Sequence, residues 1–225
     1  MIIFTTDTLH HRYFISYLVE KGFVPKCIFL EETSVTPKFP IGPIFEEEQN
    51  KFENKKWKNT KKLNSFNLYK TPNINSLLDK IKIYNNEQLV VFGTRKIDDN
   101  ILNNFKIPPI NIHRGDSRRY RGLDSDLWAI YHNDYDSIGV TIHEVVPQLD
   151  KGNIIYFRKM KIIKNMLCSH IRYYTTVIAS ELVVKILKQN YIIKKDGGNG
   201  RYYSFMPLDL KKIVEKKFNL YCAEI

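Results

Sequence analysis

The sequence predicts an α/β fold: a mostly parallel sheet flanked by helices, extended at the C-terminus by a hairpin and a helix. Three observations carry this. Ile2 to Thr5, a helical pattern ending at Gly22, and Val24 to Leu30 form a β-α-β opening, a unit that builds parallel sheets. Leu89 to Phe92 is uninterrupted and apolar, as a strand covered on both faces must be. Gly93, Thr94, Arg95 and Lys96 then turn the chain at the carboxyl end of that strand, where open α/β sheets gather ligands.

The remaining elements follow in order. The first helix carries Leu9, Tyr13, Phe14, Tyr17 and Leu18 on one face, and the Thr5-Thr6-Asp7-Thr8 turn before it lacks the glycines of a phosphate cradle. Pro37, Pro40 and Pro43 punctuate a loop, after which an acidic-then-basic helix is expected over about 44–62. Phe66 to Tyr69 reads as a strand, Ile74 to Tyr84 and Ile97 to Phe105 as helices, and Ile110 to His113 as a short strand after Pro108 and Pro109. Ser137 to Val146 is a long β-branched strand with Ile154 to Ile163 as its partner, and Met166 to Asn190 is a long helix. Residues 191–207 have the glycine turn and alternating aromatics of a hairpin, and Leu208 to Leu220 a final helix. The expected division is a catalytic domain over 1–190 and an appendage over 191–225.

Composition bounds the function. Apolar residues make up 43% of the 225, and no uncharged run approaches the roughly 20 residues of a membrane span. The N-terminus lacks the positive region of a signal peptide, so the cytoplasm is the expected compartment. Cys27, Cys168 and Cys222 have no CxxC spacing, and His132, His143 and His170 have no metal-ligand spacing; neither a disulfide framework nor a metal site is expected. The net charge of +11 sits largely in lysines of 51–62 and 211–217. Such runs are usually solvated helix faces, although the field also favours nucleotides, folate polyglutamates or nucleic acid.

The chemistry concentrates in 111–155. Asn111 and His113 alternate on a strand, which sends both side chains to one side, and Asp150 stands in a later polar turn with Lys151 and Gly152. An amide can stabilise an oxyanion, and an imidazole with a carboxylate can accept a proton from an attacking amine. No Ser or Cys nucleophile stands in a motif here, which favours direct acyl transfer over a covalent acyl-enzyme.

These residues resemble the signature of the folate-dependent formyltransferases. Asn111-x-His113 is followed by Tyr120-Arg121-Gly122, a helix near Trp128-Ala129-Ile130, a Gly-Val-Thr-Ile strand over 139–142, and a Leu-Asp-x-Gly-x-Ile turn over 149–154. The resemblance implies a Rossmann-like formyltransferase fold in which Asn111 and His113 polarise the formyl group of 10-formyltetrahydrofolate while Asp150 positions the histidine and relays protons. It implies a pterin beside Phe92, Gly93, Thr94, Arg95 and Lys96, with Val146 and Leu149 as the opposite wall. The family loop carries Leu-Leu-Pro where this chain has Asp116, Ser117 and Arg118, implying an unusual or highly charged acceptor.

Three branches compete for the acceptor. About 35 residues follow the long helix, too few for the β-barrel domain of the initiator-tRNA branch, and the first turn lacks the glycine-rich loop of the glycinamide-ribonucleotide branch. The branch that formylates nucleotide-linked amino-dideoxy sugars, of the dTDP-amino-4,6-dideoxyglucose type, resembles this chain in its compact core and terminal hairpin. The implied partner is then a nucleotide sugar, with a homodimer and no nucleic acid or membrane. Expected acceptor contacts are His10, Arg12, Arg114, Gly115, Arg121 and Gly122, with Arg114, Arg118, Arg119 and Arg121 available to grip a diphosphate. Tyr202, Tyr203 and Phe205 are read as hairpin packing. The rival of a different class is a basic, non-enzymatic nucleic-acid binder on the same fold.

Overall fold

The structure, a computed structural model, describes residues 1–189, 197 and 199–225. In chain order the elements are β1 (Ile2–Thr5), α1 (Leu9–Glu20), β2 (Cys27–Glu31), α2 (Glu46–Lys56), β3 (Leu68–Thr71), α3 (Leu78–Ile81), β4 (Leu89–Phe92) and α4 (Asp99–Leu102). They continue with β5 (Ile110–Arg114), β6 (Tyr120–Gly122), α5 (Ser125–Tyr131), β7 (Gly139–Glu144), β8 (Ile154–Lys159), α6 (Ile171–Lys188), β9 (Arg201–Tyr203) and α7 (Leu208–Glu224).

Seven strands form one sheet in the order β3-β2-β1-β4-β5-β7-β8. The first five are parallel, and β7 and β8 add antiparallel. Every residue of β1, β2 and β4 is buried; the apolar runs Ile2–Phe4, Cys27–Leu30 and Leu89–Phe92 account for all but their polar ends, Thr5 and Glu31. One face packs Ile3, Ile28, Val90 and Ile112 against Phe14, Ile15 and Leu18 of α1 and Leu182 and Val183 of α6. The other packs Phe4, Phe29 and Val91 against Ile74, Ile81 and Ile101. No helix among the described residues is long and apolar enough to cross a membrane.

Several elements are shorter than their patterns suggest. The helix expected over Ile74 to Tyr84 breaks into a 3-10 turn, α3 and a second 3-10 turn; Asn73 bonds the backbone N–H of Asn75, drawing the start into a tight turn. The helix expected over Ile97 to Phe105 is reduced to α4, next to Asn103 and Asn104, weak helix formers. The acidic-then-basic helix is α2, with Glu46, Glu47 and Glu48 in its first turn and Lys55 and Lys56 in its last, matching the helix dipole.

A hairpin is expected of the C-terminal segment. Its first arm falls in 190–196, outside the described residues, and its second, β9, pairs parallel with β6. Helix α7 follows and buries Val214, Phe218 and Cys222 in a third core with Tyr120, Leu127, Ile130 and Met206. Residues 201–225 are therefore part of the body that carries the signature stretch.

Candidate active site

Strand β5 leaves the sheet beside β4 and sends Asn111 and His113 to one side. Its antiparallel neighbour β7 sets His143 opposite Asn111. After β7 the chain loops back, and Gly152 approaches so closely that an added Cβ would sit 1.8 Å from the Glu144 carbonyl oxygen. Only glycine allows this return. It places Asp150, in the left-handed region at φ 52°, over the end of β5.

Three imidazole and carboxylate groups converge there. Asp150 Oδ2 lies 3.4 Å from His113 Nδ1 and accepts the Gly122 N–H at 2.8 Å. Asp150 Oδ1 lies 3.3 Å from His143 Nε2 and accepts from Asn111 Nδ2 at 3.3 Å. Asn111 Nδ2 also reaches His143 Nε2 at 3.1 Å. A carbonyl oxygen can only accept, so His113 Nε2 donates to Tyr120 O at 2.9 Å and His143 Nδ1 donates to Glu144 O at 2.7 Å. Each ring thus turns its other nitrogen toward the same carboxylate. Burial pushes His113 below the usual imidazole range against the pull of Asp150. Burial also works against ionisation of Asp150, but His113, His143 and the Gly122 N–H together hold its carboxyl below the usual range. The cluster consists of bases around one anion, with room for one proton.

This cluster is the floor of a cleft of about 310 Å³. Phe92, Gly93, Thr94, Arg95, Lys96, Val146 and Leu149 all line it. The Arg95 guanidinium, however, turns out of the cleft to Glu31, Thr33 and the Pro72 carbonyl, so Arg95 contributes only the rest of the residue to the wall. His10 and His11 close the end at α1, their rings 4.0 Å apart and edge-on to Phe92. Burial, helped by Arg114, lowers His11 to about 3, which leaves it neutral.

The other expected acceptor contacts separate. Arg114 and Gly122 line the cleft. Arg12 does not, being paired with Asp7 at the surface. Arg121 is spent on the carbonyls of Gly200 and Leu149 and does not line the cleft. Gly115 stands outside it, its carbonyl accepting from Thr141. Arg118 is paired with Asp116 and Arg119 with Asp134, so of the four arginines expected at a diphosphate only Arg114 lies in the cleft. The Asp116 to Arg119 segment, expected to face the acceptor, folds onto itself, with Arg118 packed over Phe157. Reasoning from sequence missed His143, Leu123, Asp124, Asp126 and Phe205, all of which line the cleft. For His143 a signal existed: once β7 pairs with β5, the alternation that buries Val140 and Ile142 in the core puts it on the Asn111 face. Among the described residues no group of three or more His, Cys, Asp or Glu is placed to hold a metal ion.

The family model described as Formyl transferase matches residues 47–186, more than half of the chain and all of the cluster just described. The chain belongs to the formyltransferase family. It is 27% identical over 158 residues to the methionyl-tRNA formyltransferase of Borrelia duttonii, covering 64% of this chain and 51% of that protein. The chain therefore spans about half the length of such curated relatives. A sugar N-formyltransferase from a Shewanella species superposes with a TM-score of 0.64 at 16% identity, covering 96% of this chain and 87% of that one. The formyltransferase PseJ of Anoxybacillus kamchatkensis, solved with UDP-4,6-dideoxy-4-formamido-L-AltNAc and tetrahydrofolate, superposes with a TM-score of 0.56 at 18% identity, covering 94% of this chain and 89% of that one. At these identities the superpositions establish the shared fold.

Proposed function

We propose that this formyltransferase moves the formyl group of 10-formyltetrahydrofolate directly to the amine of a nucleotide-linked amino-dideoxy sugar. The observation that carries this reading is the convergence of Asn111, His113 and Asp150 on the floor of a cleft walled by the 92–96 turn. The cosubstrate supplies the activated formyl carbon. Asn111 supplies the N–H donor for its oxygen, one Nδ2 hydrogen turning from His143 while the other stays on Asp150. As the new carbon–nitrogen bond forms, the amine must release a proton. His113 Nδ1 and Asp150 Oδ2 are the pair that takes it, because Nε2 is already committed to Tyr120 O. The proton then returns to the departing folate nitrogen, leaving the site as it began.

Two features favour a sugar acceptor: the chain covers most of both sugar-active structures, and Arg114 stands in the cleft with no side-chain hydrogen bond or ion pair among the described residues, available to a phosphate. The sequence relatives favour a second reading, transfer to methionine on an initiator tRNA. The decisive experiment incubates the protein and 10-formyltetrahydrofolate with a panel of nucleotide-linked amino sugars, glycinamide ribonucleotide and methionyl-tRNA. Mass spectrometry then reports which acceptor gains the mass of a formyl group. Gain on an amino sugar supports the proposal, and gain only on the tRNA or the ribonucleotide replaces it. Amine-independent formate release identifies a hydrolase, and a salt-sensitive gel shift without folate turnover the nucleic-acid binder.

A further inference from the structure

Glu31, the last residue of β2, is a carboxylate whose side chain is 2% exposed, and it does not line the cleft. A carboxylate so buried costs several kcal/mol unless its oxygens are fully bonded. Here they are. Oε1 accepts from Ile74 N at 3.0 Å and from Arg95 Nε at 2.5 Å, and Oε2 accepts from Arg95 N at 2.9 Å. One residue of the cleft wall is thus held by both its backbone and its side chain to an anion behind it. Arg95 Nη2 extends the knot to the Pro72 carbonyl at 2.7 Å and Thr33 Oγ1 at 3.1 Å. Asn75 adds a second tie, donating to the Lys96 carbonyl at 3.0 Å and accepting from Asp98 N at 3.0 Å. None of the residues that hold the turn in this way, Glu31, Thr33, Pro72, Asn75 and Asp98, lines the cleft.

We infer that Glu31 is a positioning residue for the cosubstrate: through Arg95 it fixes the backbone of the 93–96 turn against which the folate ring is read. The inference rests on the proposed function and adds to it a residue outside the signature stretch. A flat heteroaromatic ring is recognised along its edge by backbone groups, and such groups discriminate only when their positions are set before the ligand arrives. Loosening the clamp should weaken folate binding and leave the chemistry on the cleft floor intact.

The probe is 5-formyltetrahydrofolate, whose binding can be followed by calorimetry whatever the acceptor. Glu31→Gln and Arg95→Met should each weaken it by about tenfold, the scale of one charged hydrogen bond. The double variant should be little weaker than either single one, because both break the same clamp. Asn75→Ala, a milder change at a half-buried side chain, should weaken binding in the same direction by less. In steady-state assays the KM for 10-formyltetrahydrofolate should rise while kcat and the acceptor KM stay within twofold. Wild-type affinity in Glu31→Gln and Asn75→Ala, or a fall in kcat with unchanged cosubstrate KM, would overturn the assignment. If a Glu31 variant fails to fold, Arg95→Met decides, because it removes the side-chain half of the same clamp. Absence of folate binding by the wild-type protein removes the proposed function itself and this inference with it.

Discussion

Asp150→Asn tests the proton-handling role proposed for the carboxylate. Asparagine is the substitution the backbone demands: Asp150 sits at φ 52°, and Asn enters the left-handed region more readily than Ala. An Asn oxygen can keep the Gly122 N–H bond made now at 2.8 Å. Its amide nitrogen then replaces Oδ1, which accepts from Asn111 Nδ2, and two donors would face each other. The anion that lies 3.4 Å from His113 Nδ1 is gone, so a proton arriving on that ring is no longer balanced. Positioned acid–base groups contribute about 10²–10⁴-fold. At about 1.4 kcal/mol per tenfold, the barrier should rise by about 3–5 kcal/mol. Single-turnover rates at saturating 10-formyltetrahydrofolate and acceptor measure this step directly, and calorimetry with 5-formyltetrahydrofolate checks that the wall is intact. A loss below tenfold, with an unchanged pH profile, would refute the role assigned to Asp150.

Three further outcomes follow from the geometry. Gly122→Ala places a Cβ 2.1 Å from the Tyr203 carbonyl at φ 91°, so β6 must part from β9; a loss of about 1–3 kcal/mol by denaturant melts and a large fall in kcat are expected, since the Gly122 N–H holds Asp150. His11 is neutral in the fold down to about pH 3, whereas the unfolded ring takes up a proton below about 6.5. Its contribution is therefore nil above pH 6.5 and destabilising below, at about 1.4 kcal/mol per pH unit. Denaturant melts at pH 7 and 5 should show His11→Gln losing about 2 kcal/mol less than wild type over that interval; equal losses would contradict the burial argument. Glu53, fully buried and paired with Arg172 through both oxygens, ties α2 to α6, and Glu53→Ala should cost about 3–5 kcal/mol in denaturant melts by leaving the guanidinium unpaired.

What could be read from the sequence depended on how far apart the interacting residues lie. The parallel core was visible in β1, β2 and β4 because a strand covered on both faces is apolar along nearly all its length; the buried ends Thr5 and Glu31 were not. Asn111 and His113 were legible as a pair because the period of a strand is a local property. Short helices were overextended because apolar spacing marks a face without marking an end. The partners of the arginines were not legible for a different reason. A guanidinium has five donors on a long stem and settles wherever carbonyls or carboxylates are buried, so Arg12, Arg95, Arg118, Arg119 and Arg121 went to Asp7, Glu31, Asp116, Asp134 and two main-chain oxygens. Nothing in a one-dimensional pattern says which acceptor will be within reach.

The C-terminal segment shows how such distant partners become part of the site. Arg121 bonds Gly200 on one side and Leu149 on the other, while its neighbour Gly122 bonds Asp150. Leu123 N reaches the Tyr203 carbonyl at 3.0 Å, Trp128 Nε1 the Ser204 carbonyl at 2.9 Å, and Met206 N the Asp124 carboxylate at 2.9 Å. The strip 200–206 thus runs along the loop that carries the Asp150 partner, and it delivers Phe205 to the cleft. A change in this strip reaches two parts of the cleft: through Gly122 it reaches the Asp150 carboxylate, and through Phe205 and Asp124 the lining. On the proposed function this couples acceptor preference to catalytic geometry, so substitutions at 200–206 should alter kcat and acceptor KM together while leaving 5-formyltetrahydrofolate affinity near wild type, in contrast to the Glu31 clamp.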